Sequence, residues 1–395
     1  MTITGVGHVQ TRRAVLFSED RPLELQSGAT LAPVEVAYET YGTLDPDGAN
    51  AVFVCHALSG DAHAAGHHGD PSRRGWWDTM IGPGRPLDTE RFFVICPNLL
   101  GGCSGTTGPT TVDPKTGRPY GLRFPLLTVR DLVAVHRALL RHLGVTRLRA
   151  AVGGSLGGMQ ALQWALDSPE EIERAVLICA SARLNAQNIA LTAVARGAIM
   201  SDPDFQDGNY LDGPRRPRLG LSVARQIGHI TYLSAESMRR KFDRARRGGP
   251  DAPMTMSSDF EVEHYLDHQG ESFTERFDAL SYIYLTRLMD YFDPFADADL
   301  DLRRVSTRFL AISFDSDWRF GREHSLYLVD ALRAGGVDAR HVEVSSPWGH
   351  DSFLLEGQAY HRLVAQALCA ELESTSAPSG SGGYPLSAMR PSRIG

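Results

Sequence analysis

Long apolar runs are missing from these 395 residues: no stretch approaches the roughly 20 consecutive apolar side chains that a membrane-spanning helix needs. Residues 1–13 hold no apolar segment of the kind a secretory signal carries, so a cytoplasmic location is expected. Cysteine is scarce: there are five, Cys55, Cys96, Cys103, Cys179 and Cys369, with no CxxC pair. Their odd number and scattered positions argue against a disulfide framework or a structural zinc and for reduced thiols. No metal-ligand spacing stands out, and neither a metal nor a bound cofactor is expected. A surplus of positive charge is lacking too. With a formal net charge of −7 the chain has little to offer a polyanion, so neither nucleic acid nor membrane is expected as a partner. What is present is ordinary for a soluble globular chain, 42% hydrophobic and 22% charged residues, at a length that suits one large domain with an insertion.

The apolar pattern alternates between two periods. Residues Val34 to Tyr41, Ala51 to Cys55 and Phe92 to Cys96 are short runs bounded by Gly, Pro or Asp, and read as strands. Residues 129–143 place apolar side chains at helical spacing, with Gly144 as the stop. A strand from Leu148 to Val152, a helix from Met159 to Asp167 and a strand from Ala175 to Ala180 follow. This alternation predicts an α/β architecture with a mainly parallel sheet and helices on both faces. From about 182 to 302 no buried strand is evident and helical stretches appear at 218–234 and 275–292. The rhythm then resumes with a strand at 307–314, a helix at 322–334, a strand at 340–345 and a helix at 353–371. The expected organisation is a sheet domain in two parts, 1–181 and 303–372, with a helical lid, 182–302, inserted between them. The tail 373–395 is rich in Ser, Gly and Pro and is expected to be disordered.

One motif carries chemistry. Gly153-Gly154-Ser155-Leu156-Gly157 satisfies G-x-S-x-G directly between a strand and a helix, the context in which a sharp turn lifts a serine Oγ clear of the sheet. Serine needs a base and an orienting carboxylate, which should follow in the order Ser, Asp, His. Of the two histidines near the right end, His341 falls within a predicted strand. His350 falls in the loop Pro347-Trp348-Gly349-His350-Asp351 between the last strand and last helix, where an imidazole can reach the serine. Asp315 and Asp317 both follow the strand ending at Phe314, and spacing does not separate them. The N–H of Leu156, at the helix start, is one candidate oxyanion donor. The N–H of Leu58, in the loop after Ala51–Cys55, is the other.

These residues resemble a known family. GGSLGGMQALQW around Ser155 is similar to the homoserine O-acyltransferases of methionine biosynthesis, a branch of the α/β hydrolases. The same holds for His56 to Asp61, Gly75-Trp76-Trp77-Asp78, NLLGGCSGTTGP from Asn98, and Ala224-Arg225 with Ile230-Thr231-Tyr232. FDALSYIYLTRLMDYFD from Phe277 and Ser316-Asp317-Trp318 match as well, so the likeness runs from about residue 15 to 370. Leu156 stands where methionine is common and Leu280 where asparagine is usual. The first change leaves a backbone donor untouched.

The resemblance implies Asp317 as the acid of a Ser155–His350–Asp317 triad, and Arg225 and Asp351 as the groups that hold the amino-acid substrate. The chemistry agrees, since homoserine offers a carboxylate to an arginine and an ammonium to an aspartate. It implies a ping-pong transfer from an acyl-CoA co-substrate to L-homoserine through an acyl-serine, in an enzyme that is commonly a homodimer. The stretch Asp317-Trp318-Arg319-Phe320 is similar to the succinyl-transferring members. A guanidinium at Arg319 would pair with the free carboxylate of a succinyl group and offer nothing to an acetyl methyl. Succinyl-CoA is the expected donor, with acetyl-CoA the alternative and plain ester hydrolysis a more distant one.

Overall fold

The short apolar runs pair into one sheet. In a computed structural model, which describes residues 5–369, it has eight strands. They are β1 (Arg12–Phe17), β2 (Val34–Tyr41), β3 (Ala51–Cys55), β4 (Phe93–Pro97), β5 (Ala150–Gly154), β6 (Arg174–Ile178), β7 (Arg308–Phe314) and β8 (Ala339–Val344). Their spatial order is β1-β2-β4-β3-β5-β6-β7-β8. β2 runs antiparallel to β1 and β4, and the other pairings are parallel. The middle strands β3, β5 and β6 are buried along their whole length, as strands covered on both faces must be, which is why their sequences are near-continuous in apolar and small residues.

The helices are α1 (Val129–His142), α2 (Leu156–Asp167), α3 (Ala186–Met200), α4 (Arg218–Tyr232), α5 (Ala235–Lys241), α6 (Glu261–Thr274), α7 (Ala279–Asp290), α8 (Arg322–Ala334) and α9 (Gln358–Cys369). α1 starts on a capping box, in which the Thr128 hydroxyl accepts the Asp131 N–H while the Asp131 carboxylate accepts the Thr128 N–H. Such a cap stabilises a helix start by about 1 kcal/mol. On one sheet face Phe53 and Leu177 pack with Trp164 of α2, and this core continues through Leu221, Phe273 and Leu285 of α4, α6 and α7. The other face is a second cluster, including Val54, Val176, Trp77, Phe314 and Tyr360 of α9. Among the described residues no helix is long and apolar enough to cross a membrane.

Several boundaries differ from the sequence reading. The strand expected over 148–152 lies at 150–154, because Gly153 and Gly154 continue the parallel pairing with Leu177 and Ile178. The helix expected from Met159 begins at Leu156, immediately after the serine. The helix expected over 353–371 is a 3-10 turn, Gly349–Leu354, followed by α9 only from Gln358. Gly357 separates the two pieces. The expected tail lies outside the described residues.

Candidate active site

The elbow is built by glycines that nothing larger can replace. A Cβ on Gly157 would sit 2.0 Å from the Cys55 carbonyl oxygen, and one on Gly153 2.3 Å from the Gly157 carbonyl carbon. Strand β5 and helix α2 can therefore cross close to β3, and the residue between them is forced to turn. Ser155 adopts φ 57° and ψ −124°, a strained conformation for a residue with a side chain. Its own N–H donates to the Ile178 carbonyl at 2.9 Å, which locks the turn to β6.

Asp317 follows β7, and His350 sits in the turn after β8. His350 Nδ1 lies 2.7 Å from Asp317 Oδ2, and both side chains are buried. The other carboxylate oxygen accepts the N–H groups of Arg319 and Phe320, each at 2.9 Å. Burial pushes the Asp317 carboxyl up, but the His350 partner and these two N–H donors outweigh it and hold the group below its usual range. An ionised Asp317 requires the proton on Nδ1 of His350, leaving Nε2 as the basic nitrogen. The imidazole is enclosed by the rings of Phe320, Tyr232 and Phe353, with centroids 5.1, 5.7 and 5.7 Å away. No hydrogen bond joins the Ser155 hydroxyl to His350 among the described residues.

Neither the Leu58 N–H nor the Leu156 N–H finds an acceptor among the described residues. The loop bearing Leu58 is held by His56, whose Nδ1 contacts the Ala57 carbonyl at 2.7 Å while Nε2 accepts the Leu99 N–H at 3.2 Å. Burial lowers the His56 pKa and keeps the ring neutral, as this donor–acceptor pairing demands.

Comparison with known proteins places this geometry. A family profile described as the alpha/beta hydrolase fold matches residues 50–357. A homoserine O-succinyltransferase of Nocardioides sp. is 58% identical over 365 residues, covering 92% of this chain and 99% of the relative. The chain belongs to the homoserine O-acyltransferase family. A homoserine O-acetyltransferase of Methanobrevibacter ruminantium is 48% identical, covering 91% of this chain and 73% of that protein. Among solved structures, the homoserine O-acetyltransferase of Bacillus anthracis superposes with a TM-score of 0.84 at 28% identity, over 93% of this chain and all of that one. Esterase E22 superposes at 0.81 with 28% identity, over 91% of this chain and all of that one, so the fold is shared with an enzyme named a hydrolase.

The remaining sites expected from the homoserine O-acyltransferase resemblance converge on the same place. Arg225, on α4, donates from Nη1 to the Ser59 hydroxyl at 3.2 Å, one residue past Leu58. Its Nε is buried without a partner, and it forms no ion pair among the described residues. Asp351 lies inside the 3-10 turn and caps no helix. Burial raises its carboxyl, offset in part by His350 and Arg225. Arg319 is no surface residue: it is 7% exposed, donates to the Thr231 hydroxyl at 2.7 Å and stands 5.3 Å from the Tyr232 ring centroid. It too forms no ion pair among the described residues. The rejected alternatives lie apart. Asp315 accepts the exposed Ser346 N–H at 2.9 Å, and His341 Nε2 contacts Ser313 Oγ at 2.8 Å.

Sequence reasoning missed the groups that join these parts. Trp318 Nε1 donates to the Leu233 carbonyl at 3.1 Å, and Ser234 Oγ donates to the Pro347 carbonyl. A Cβ on Gly349 would come within 2.6 Å of Ser234 N and the Tyr232 carbonyl oxygen. The end of α4 is therefore seated directly on both the acid loop and the histidine turn. Only the Gly before His350 hinted at this in the sequence.

Proposed function

We propose that this protein transfers a succinyl group from succinyl-CoA to the hydroxyl of L-homoserine, with Ser155 as nucleophile, His350 as base and Asp317 as its orienting acid. In this reading the Ser155 hydroxyl gives its proton to His350 Nε2 and attacks the thioester carbonyl. The oxyanion is received by the N–H groups of Leu58 and Leu156. The C–S bond breaks, and the imidazolium returns the proton to the CoA sulfur. Homoserine then enters, its hydroxyl proton passes to His350, and its oxygen attacks the acyl-serine. Ser155 is released with the proton restored.

Arg225 and Asp351 receive the carboxylate and ammonium of homoserine, so that its hydroxyl rather than water meets the ester. The low exposure of Ser155 and His350, 8% and 3%, supports that exclusion. We read residues 182–302 as a lid over this chamber, and a cytoplasmic homodimer remains the expected form. The acyl-CoA is a co-substrate, and the residues named account for each proton.

The observation that carries the choice of succinyl is Arg319. A nearly buried guanidinium with no carboxylate partner is costly unless something anionic joins it. In this reading Arg319, two residues from the proposed acid, receives the distal carboxylate of a succinyl group. The relatives named as acetyltransferases keep acetyl-CoA as the second reading. Kinetics with each thioester at fixed homoserine decide between them. Wild type is expected to favour succinyl-CoA, and Arg319→Leu to lose about a hundredfold in kcat/KM for succinyl-CoA while changing little with acetyl-CoA. A wild type that prefers acetyl-CoA overturns the acyl assignment, and CoA release indifferent to homoserine overturns the transferase.

A further inference from the structure

Glu39 lies in the middle of β2, 0% exposed, and has neither a lysine nor an arginine partner among the described residues. An isolated buried carboxylate is strongly disfavoured, so its charge must be met from elsewhere. It is met by two histidines from one loop. His63 Nδ1 stands 3.1 Å from Oε2, and His68 Nε2 2.7 Å from Oε1. The two imidazole rings are tilted 33° to one another with centroids only 3.8 Å apart, a poor arrangement for two cations. The three ligand atoms all fall within 4.8 Å of one another.

We propose that Glu39, His63 and His68 form a binding site for a divalent transition-metal ion, which fastens the loop running from His56 to His68 onto β2. Two imidazole nitrogens and a carboxylate oxygen are a donor set suited to zinc and its neighbours in the first transition row. Ligands around one tetrahedral zinc sit about 2 Å from it and hence roughly 3.3 Å from one another, a spacing these three side chains, already within 4.8 Å of one another, can reach by small rotations.

The carboxylate is aimed by outer partners. The Thr11 hydroxyl donates to Oε1 at 2.8 Å, and the Tyr41 hydroxyl lies 2.9 Å from Oε2. Such supports orient a ligating carboxylate. Tyr41 also accepts the N–H groups of Ala64 and Ala65, at 2.8 and 3.2 Å, so the same hub grips the loop between the two histidines. His68 is 46% exposed, which leaves one side open for the ion to enter and for water to complete the coordination. This site uses none of Ser155, Asp317 or His350. Its loop begins with the residues that present Leu58, so the ion would stiffen one wall of the active site without touching substrate. Glu39 is 24 and 29 positions from its two histidines, and so no linear spacing announces the site.

The test uses the full chain stripped with a chelator and then titrated with Zn²⁺ or Co²⁺ alone. We expect one Zn²⁺ per chain, visible d–d absorption with Co²⁺, and a higher melting temperature with metal. His68→Gln, at a half-exposed position that should not disturb folding, is expected to weaken Zn²⁺ binding at least tenfold and to abolish the Co²⁺ bands. Glu39→Gln should do the same if circular dichroism shows it folded. A wild type that takes up no stoichiometric metal overturns the proposal, leaving the histidines as hydrogen-bonding partners of Glu39. Binding unchanged in His68→Gln overturns it equally, by placing the metal elsewhere.

Discussion

The two sides of the active site are fixed by different means. On the sheet side Ser155, Asp317 and His350 are held mainly by the backbone: a turn with no room for a Cβ, N–H groups on the carboxylate, and a short turn seated against α4. On the side formed by α3 to α7 the polar groups rest on a mixture of side-chain and backbone partners, and several buried atoms have no partner among the described residues, among them Arg225 Nε, His229 Nε2 and Arg196 Nη1. Burial together with Arg225, Lys241 and Arg276 depresses His229 to about 3, so its ring stays neutral beside them. The sheet side is organised for a reaction whose geometry does not vary. The helical side brings Arg225, Lys241 and Arg276 close to His229, a local group of cations whose natural complement is an anion.

The strongest way to break this contrast is at the serine. Ser155→Ala is expected to cut homoserine acylation by at least about a thousandfold while leaving the melting temperature within a few degrees, because its N–H bond to Ile178 survives. A loss confined to a few fold would show that the sheet side does not carry the chemistry.

Next in size is Arg225→Gln. Formation of the acyl-serine, read as the burst of CoA, should be nearly unchanged, whereas its transfer to homoserine should fall about 10- to 100-fold. Equal loss in both steps would mean that the helical side serves both substrates alike.

The glycines sharpen the comparison on stability. Gly157→Ala puts a methyl 2.0 Å from a carbonyl oxygen and should destabilise the chain by several kcal/mol. Gly197→Ala, in α3 where nothing lies within 4 Å, should instead stabilise it by about 0.5–1 kcal/mol. Urea unfolding of both variants provides the measurement, and the same sign for both would undo the distinction.

The sheet side was also the more legible one. Ser155 could be named from G-x-S-x-G between a strand and a helix, and His350 from its place after the last strand. Asp315 and Asp317 could not be separated from spacing, because the choice depends on which carboxylate turns inward to meet the Arg319 and Phe320 N–H groups, a matter of loop geometry. The helical side was harder. α6, EVEHYLDHQGESFT, buries only Gly270 and Phe273, so it offers little apolar periodicity to read. α3 carries apolar residues on several faces and therefore lacks a stripe. Arg319 was picked out by resemblance, but its depth and its hold on Thr231 emerge only when α4 is folded over it.

The glycine before His350 has a consequence for exchanging parts between relatives. Because Gly349 lets the end of α4 rest on the turn that holds the imidazole, that helix end and residues 346–351 are packed together despite their distance along the chain. A chimera that imports the helices without that turn would lose the alignment of the His350 imidazole. Exchange of these helices by recombination therefore has two crossover regions to respect, and the second is only a few residues long.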